Sequence, residues 1–205
     1  MALTLGDRII NHMKDIGARI DACNIVILED SDVNGKPVAF NSLDTWDDRI
    51  LLVKNTGEVV VNSAGTCEPG YYYTHNPMNT RGAARIALGF QADIWCFGKH
   101  FNQDALVQCN PIKVHRDLNK DGYRTSDKVT VESGMGLNFH TTGNVAGNSP
   151  AKIGRHSAGC VVTQSSTTFY TAIMPLLRYS GRKVFSATII DPALLWMDKD
   201  GRKAY

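Results

Sequence analysis

No two of the five cysteines (Cys23, Cys67, Cys96, Cys109, Cys160) form a C-x-x-C pair, and their number is odd. Neither a zinc knuckle nor a closed disulfide framework is signalled, and a reduced compartment is the simpler reading. No stretch of 18 consecutive apolar residues occurs, and Met1 to Ala22 has no basic segment followed by an unbroken apolar one. That pattern predicts neither a secretory leader nor a membrane-spanning helix, and the expected location is the cytoplasm of the producing cell. Net charge is small: the value is +2 and the 22 Lys and Arg are scattered, which argues against a nucleic-acid partner. Internal repeats, low-complexity tracts and Pro/Ser-rich linkers are missing, and nothing in the sequence marks an oligomeric state. What is present is ordinary for a chain that buries a core: 205 residues, 43% hydrophobic and 20% charged.

Thr4 followed by Asp7 has the spacing of a capping box, and Ile9, Ile10, Met13, Ile16 and Ile20 then recur at helical intervals. The spacing predicts an amphipathic helix over 5–20, and residues 1–22 are read as an appendage to one domain over 23–205. From Asn24 the texture changes to short apolar runs broken by Gly, Pro and Asn. Strands are expected over 24–28, 49–54, 58–62, 71–74, 93–98, 105–109, 112–115, 129–132, 137–140 and 184–190. Asn55-Thr56-Gly57 has the composition of a tight turn joining two of them. A second helix is expected over 166–178, bent or ended by Pro175. The fold class that follows is mainly β, a single domain with peripheral helices.

Two segments carry chemistry: Gly136-Leu-Asn-Phe-His140-Thr-Thr-Gly143 and, after a polar loop, Gly154-Arg-His-Ser157-Ala-Gly159-Cys160. A thiol must become a thiolate to attack a carbonyl, and a histidine within reach can take that proton and return it to a leaving amine. His140 closes an apolar run, a rigid place from which to present such a base. Gly159 lacks a Cβ, so the backbone can turn tightly and bring the amides near Cys160 towards a developing oxyanion. Ser157 can tie the loop down or orient the histidine. Read singly, Cys160 is more often a buried small hydrophobe and His140 a satisfied core histidine.

Taken together, a His, sixteen intervening residues and Ser-x-Gly-Cys resemble the signature of the L,D-transpeptidase catalytic domain. The Thr66–Tyr72 stretch resembles that family's strand entry, and Asn138-x-His140 with Ser157-Ala-Gly-Cys160, Tyr72, Asn76-Pro-Met-Asn79, Ala105–Gln108 and Arg116–Asp121 resemble a phage-lysin-like branch of the superfamily, over roughly Asn24 to Met174. The resemblance implies a β-sandwich or barrel, with Cys160 and His140 as catalytic pair and Ser157 and Gly159 in the nucleophile loop. It also implies peptidoglycan stem peptides as substrate, with Tyr72, Thr141, Arg155 and His156 as candidate contacts. The family's His or Lys within the tetrad and its Arg two places past the Cys are here Ala158 and Val162. Their loss shifts the expected reaction from crosslinking towards hydrolysis. An enzyme of this kind reaches the wall by another route, such as phage-mediated lysis.

No cofactor is required by that chemistry. Asp117, Asn119 and Asp121 with Gly122 match the front half of a calcium loop, but Lys128 stands where a bidentate Glu belongs, and a side-chain-capped polar turn explains the same residues. His75, His100 and His115 have no compact zinc-ligand spacing. The alternatives to a hydrolase are a crosslinking transpeptidase and a non-catalytic, calcium-stabilised wall-binding module.

Overall fold

The computed structural model describes residues 2–38 and 43–197; residues 198–205 of the span expected for the catalytic domain lie outside the described residues, as does Met1 of the appendage. The strands are β1 (Cys23–Leu28), β2 (Asp48–Lys54), β3 (Val59–Thr66), β4 (Ala83–Ile86), β5 (Gly89–His100), β6 (Gln103–Gln108), β7 (Ile112–Asp117), β8 (Val129–Glu132), β9 (Phe139–Thr141), β10 (Val161–Thr163) and β11 (Val184–Ile190). Eight of them close a barrel in the order β1-β11-β5-β6-β9-β10-β3-β2, and β4-β7-β8 form a separate three-stranded sheet. The mainly β architecture is therefore as expected.

β1 and β2 are apolar on both faces, which explains why Ile25 to Leu28 shows no alternation. Ile25, Ile27, Ile50 and Leu52 point into the main core with Trp95 and Phe139. Val26, Leu28, Leu51 and Val53 instead pack on Ile9, Ile10 and Met13 of α1 (Leu5–Asp15). A strand covered on both sides reads as a continuous apolar run. The helix expected as an appendage thus buries its stripe against the barrel wall. Its capping box forms between Thr4 and Asp7. It ends earlier than the 5–20 expected, because Gly17 takes φ +67° and the amides of Ala18 and Gly17 bond back to the carbonyls of Met13 (2.8 Å) and Lys14 (3.0 Å). Glycine reaches that left-handed conformation freely, so the last turn closes there.

The hairpin of β2 and β3 turns at Gly57, whose amide donates to the Lys54 carbonyl (2.9 Å). Tyr71 to Thr74, expected as a strand, is instead α2 (Tyr71–His75). The amides of Tyr73 and Thr74 both close onto the Gly70 carbonyl (3.0 and 3.1 Å), so aromatic β-propensity yields to a local turn after Pro69. The short β4 and β10 escape a reading by runs. The helix past Cys160 forms as α3 (Ser166–Thr168), a π-helical turn (Phe169–Ile173) and α4 (Met174–Tyr179). Pro175 sits at the first turn of α4, where its missing N–H costs least, and the wider π turn immediately before it absorbs the irregularity. Among the described residues no helix is long and apolar enough to cross a membrane.

A candidate cysteine and histidine site

β9 and β10 run parallel, with His140 opposite Val162, and Cys160 is the residue that leads into β10. This pairing brings together the two segments singled out in the sequence. His140 and Cys160 both line one groove of about 700 Å³, walled by the 133–138 loop, the end of β5 and the 155–160 loop.

His140 is 3% exposed. Its Nδ1 lies 2.9 Å from the Thr141 carbonyl. A carbonyl only accepts, so Nδ1 carries the proton and Nε2 keeps its lone pair. Nε2 is buried without a hydrogen-bond partner. Burial pushes the imidazole pKa down to about 3, His100 and His156 add to the depression, and the Thr141 carbonyl opposes it. The imidazole is therefore neutral, with Nε2 unpartnered.

The Cys160 thiol donates to the Gly136 carbonyl and its sulfur accepts from the Asn138 amide, both at 3.4 Å. Burial pushes this thiol up to about 11, against the Asn138 amide, which favours the thiolate. At rest the site is a neutral thiol and a neutral imidazole rather than an ion pair.

Ser157 is fully buried; its hydroxyl donates to the Cys160 carbonyl (2.8 Å) and accepts from the Gly159 amide (3.1 Å). Of the two roles open to Ser157, tying the loop is the one observed. In this arrangement the Gly159 amide, one of those expected to face an oxyanion, is engaged by the Ser157 hydroxyl. Upstream, Asp44 holds the loop by accepting from the amides of Gly154 (2.6 Å, side chain) and Ile153 (3.2 Å, carbonyl).

The candidate substrate contacts divide. Arg155 and His156 line the groove, and Tyr73 lines it rather than Tyr72. The Arg155 guanidinium lies over the Tyr72 ring at 3.9 Å, so Tyr72 meets the groove through that cation. Thr141 is fully buried and its hydroxyl donates to the Thr163 carbonyl (2.8 Å); its contribution is the backbone oxygen that fixes His140. Along the groove wall Glu132 pairs with Arg81 (2.8 Å) and Arg116 (2.9 Å), and the Arg116 bond holds its carboxyl down at about 2. With two guanidiniums on one carboxylate, plus Arg155, the groove carries an excess of positive charge.

His100, weighed in the sequence only as a zinc ligand, lies in this groove stacked on His140, and Asn138, itself bonded to the Gln108 amide, lies against His100. Asn138 was visible in the Asn-x-His motif. Nothing in the spacing joins His100 to His140, because β5 reaches β9 only through β6.

The expected calcium loop is tied by its own bonds. One Asp117 carboxylate oxygen accepts from the Gly122 amide (3.1 Å), Asp121 accepts from the Tyr123 amide (2.8 Å), and the Asn119 side chain donates to Asp121 (2.7 Å). Asn119 Oδ1 in turn accepts from the Asp121 amide (3.4 Å), the geometry of a capped polar turn. Among the described residues, the group of three acidic, histidine or cysteine side chains close enough to share an ion is Asp30, Asp47 and Asp48, elsewhere in the molecule.

Comparison with family models, with curated proteins and with solved structures gives no match to this chain.

Proposed function

We propose that the chain is a cysteine-dependent acyl-transfer enzyme of L,D-transpeptidase type that hydrolyses peptidoglycan stem peptides. The observation that carries this reading is the buried, unpartnered Nε2 of His140 in the same groove as the Cys160 thiol, with the opposite ring nitrogen pinned by Thr141. A buried nitrogen without a partner costs free energy, about 1–3 kcal/mol for a typical polar group, and persists where a function uses it.

In the mechanism, the Cys160 proton passes from its resting acceptor, the Gly136 carbonyl, to His140 Nε2, and the Asn138 amide stabilises the sulfur anion. The thiolate attacks the peptide carbonyl, the imidazolium protonates the departing amine, and water activated by His140 resolves the thioester. The basic groove suits a peptide bearing free carboxylates. Val162, which replaces the family's Arg, is fully buried and contributes no charge, in keeping with water rather than a second peptide as acceptor. Delivery to the wall would follow lysis of the producing cell.

A second reading, a non-catalytic wall-binding module, is favoured by the raised pKa of Cys160, since a neutral buried thiol is slow to react. One experiment separates the two. Purified peptidoglycan is incubated with the native chain and with Cys160→Ala, and released fragments are weighed by mass spectrometry. Fragments from the native chain alone are expected, with masses giving the bond cut and the acceptor; equal release by both proteins, or none by either, rejects the cysteine enzyme.

A further inference from the structure

We infer that His100 is a positioning residue of this site, holding the base and the nucleophile in one arrangement; this rests on the reading just proposed. Its ring stacks on His140 with centroids 4.1 Å apart and planes 17° from parallel. Its Nδ1 lies 2.9 Å from the side-chain nitrogen of Asn138, whose backbone amide is the donor to Cys160 Sγ. One side chain therefore touches the base directly and the nucleophile through a single residue.

The protons in this chain can be assigned. Asn138 Oδ1 accepts from the Gln108 amide at 2.9 Å, which identifies the other end of the amide group, the donor, as the one facing His100. His100 Nδ1 is then the acceptor, and the neutral ring carries its proton on Nε2. Gln108 also accepts, through its side-chain oxygen, the amides of Met135 (3.1 Å) and Leu137 (3.2 Å). Those two residues flank Gly136, the carbonyl that receives the resting thiol proton. The ends of β5 and β6 thus brace both hydrogen bonds made by Cys160, while the stack sets the plane of the His140 ring. His100 itself is half-buried at the end of β5, with an edge contact to the exposed Phe101 (4.7 Å between centroids), so little of the barrel core depends on it.

The test uses two substitutions that divide the contacts. His100→Phe keeps a flat ring for the stack and loses the acceptor; His100→Gln keeps an acceptor and loses the stack. Two rates are measured on the full chain: alkylation of Cys160 by iodoacetamide, followed by peptide mapping, and release of peptidoglycan fragments, resolved into kcat and KM. Misplacement of reacting groups by about an ångström costs up to about 100-fold, so each variant is expected to lose about 10- to 100-fold in kcat with KM near the native value and melting temperature preserved. The alkylation rate should fall most in His100→Phe, where Asn138 loses its partner. Native kcat and native alkylation in both folded variants would overturn the positioning role and leave the enzyme reading standing. If one variant fails to fold, the other decides the matter by the same two rates. If the native chain releases no fragments and its Cys160 is not selectively alkylated, the enzyme reading fails and this inference fails with it.

Discussion

Gly159 lies with its α-carbon against the Ala84 carbonyl: a Cβ at this position would sit 2.4 Å from that oxygen, and the backbone is at φ +126°. Both the contact and the conformation require glycine. Gly159→Ala is therefore expected to destabilise by about 1–3 kcal/mol from the backbone conformation alone, with a further cost because the clash is with backbone that cannot swing aside. Denaturant unfolding measures the first effect. Fragment release should fall more than stability does, since the strain is relieved by moving Cys160; a stable variant with native turnover would contradict this account.

The same residues show what the sequence could and could not reveal. His140, Ser157, Gly159 and Cys160 were legible because reactive side chains at fixed intervals need no tertiary information to be noticed. The mainly β fold was legible as many short strands, although its closure into a barrel was not, nor was α2, since Tyr71 to Tyr73 have the propensity of a strand and the geometry of a turn set by Gly70. His100 could not be read as a neighbour of His140, because that contact depends on which strands lie between β5 and β9. The raised thiol and depressed imidazole were also out of reach. Burial comes first among the causes of each shift, and burial belongs to the folded chain.

Those two shifts predict how stability depends on pH. His140 falls from 6.5 to about 3 on folding, so below 6.5 the unfolded chain takes up a proton that the native chain refuses. The His140 contribution to native stability therefore declines as pH drops from 6.5 towards 3, with a limiting slope of about 1.4 kcal/mol per pH unit for one group. His100 is shifted in the same direction and adds to the effect. Cys160 rises from 9.0 to about 11, so the unfolded thiol ionises first and stability also declines as pH rises from 9 to 11. Urea titrations across both windows should show His140→Gln with a shallower acid limb and Cys160→Ala with a shallower alkaline one. Limbs unchanged by these substitutions would place the responsible groups elsewhere.

Calcium should leave the melting temperature where it is. A ligand that binds the native state alone raises stability in proportion to the logarithm of its concentration over its Kd. The loop from Asp117 to Asp121 is already held by the amides of Gly122 and Tyr123. Scanning calorimetry with millimolar calcium and with a chelator is expected to give superimposable transitions. A calcium-dependent rise would return the loop, or the Asp30, Asp47 and Asp48 group, to consideration as an ion site.

The acidic group near the start of β2 carries the last prediction. Asp30 is pushed up from 3.8 to about 7, by burial first and then by Glu68 and Asp47, while Arg124 and Arg85 oppose the shift. Its backbone amide donates to Asp48 (2.9 Å), and Asp48 also accepts from the Cys67 amide (2.6 Å), so the turn is fixed through Asp48 rather than through the Asp30 carboxyl. Because the folded pKa lies above the unfolded one, the unfolded chain releases the Asp30 proton first. The Asp30 contribution to native stability is then whole below about 4 and is eroded as pH rises to about 7, where the folded carboxyl also ionises. Asp30→Asn removes the titration, and asparagine tolerates the left-handed backbone found here, φ +48°. The variant should melt higher than the native chain at pH 8, by a margin that narrows at pH 5 and vanishes near pH 4. A margin that stays constant across that range would mean that Asp30 acts through shape or hydrogen bonding instead of charge.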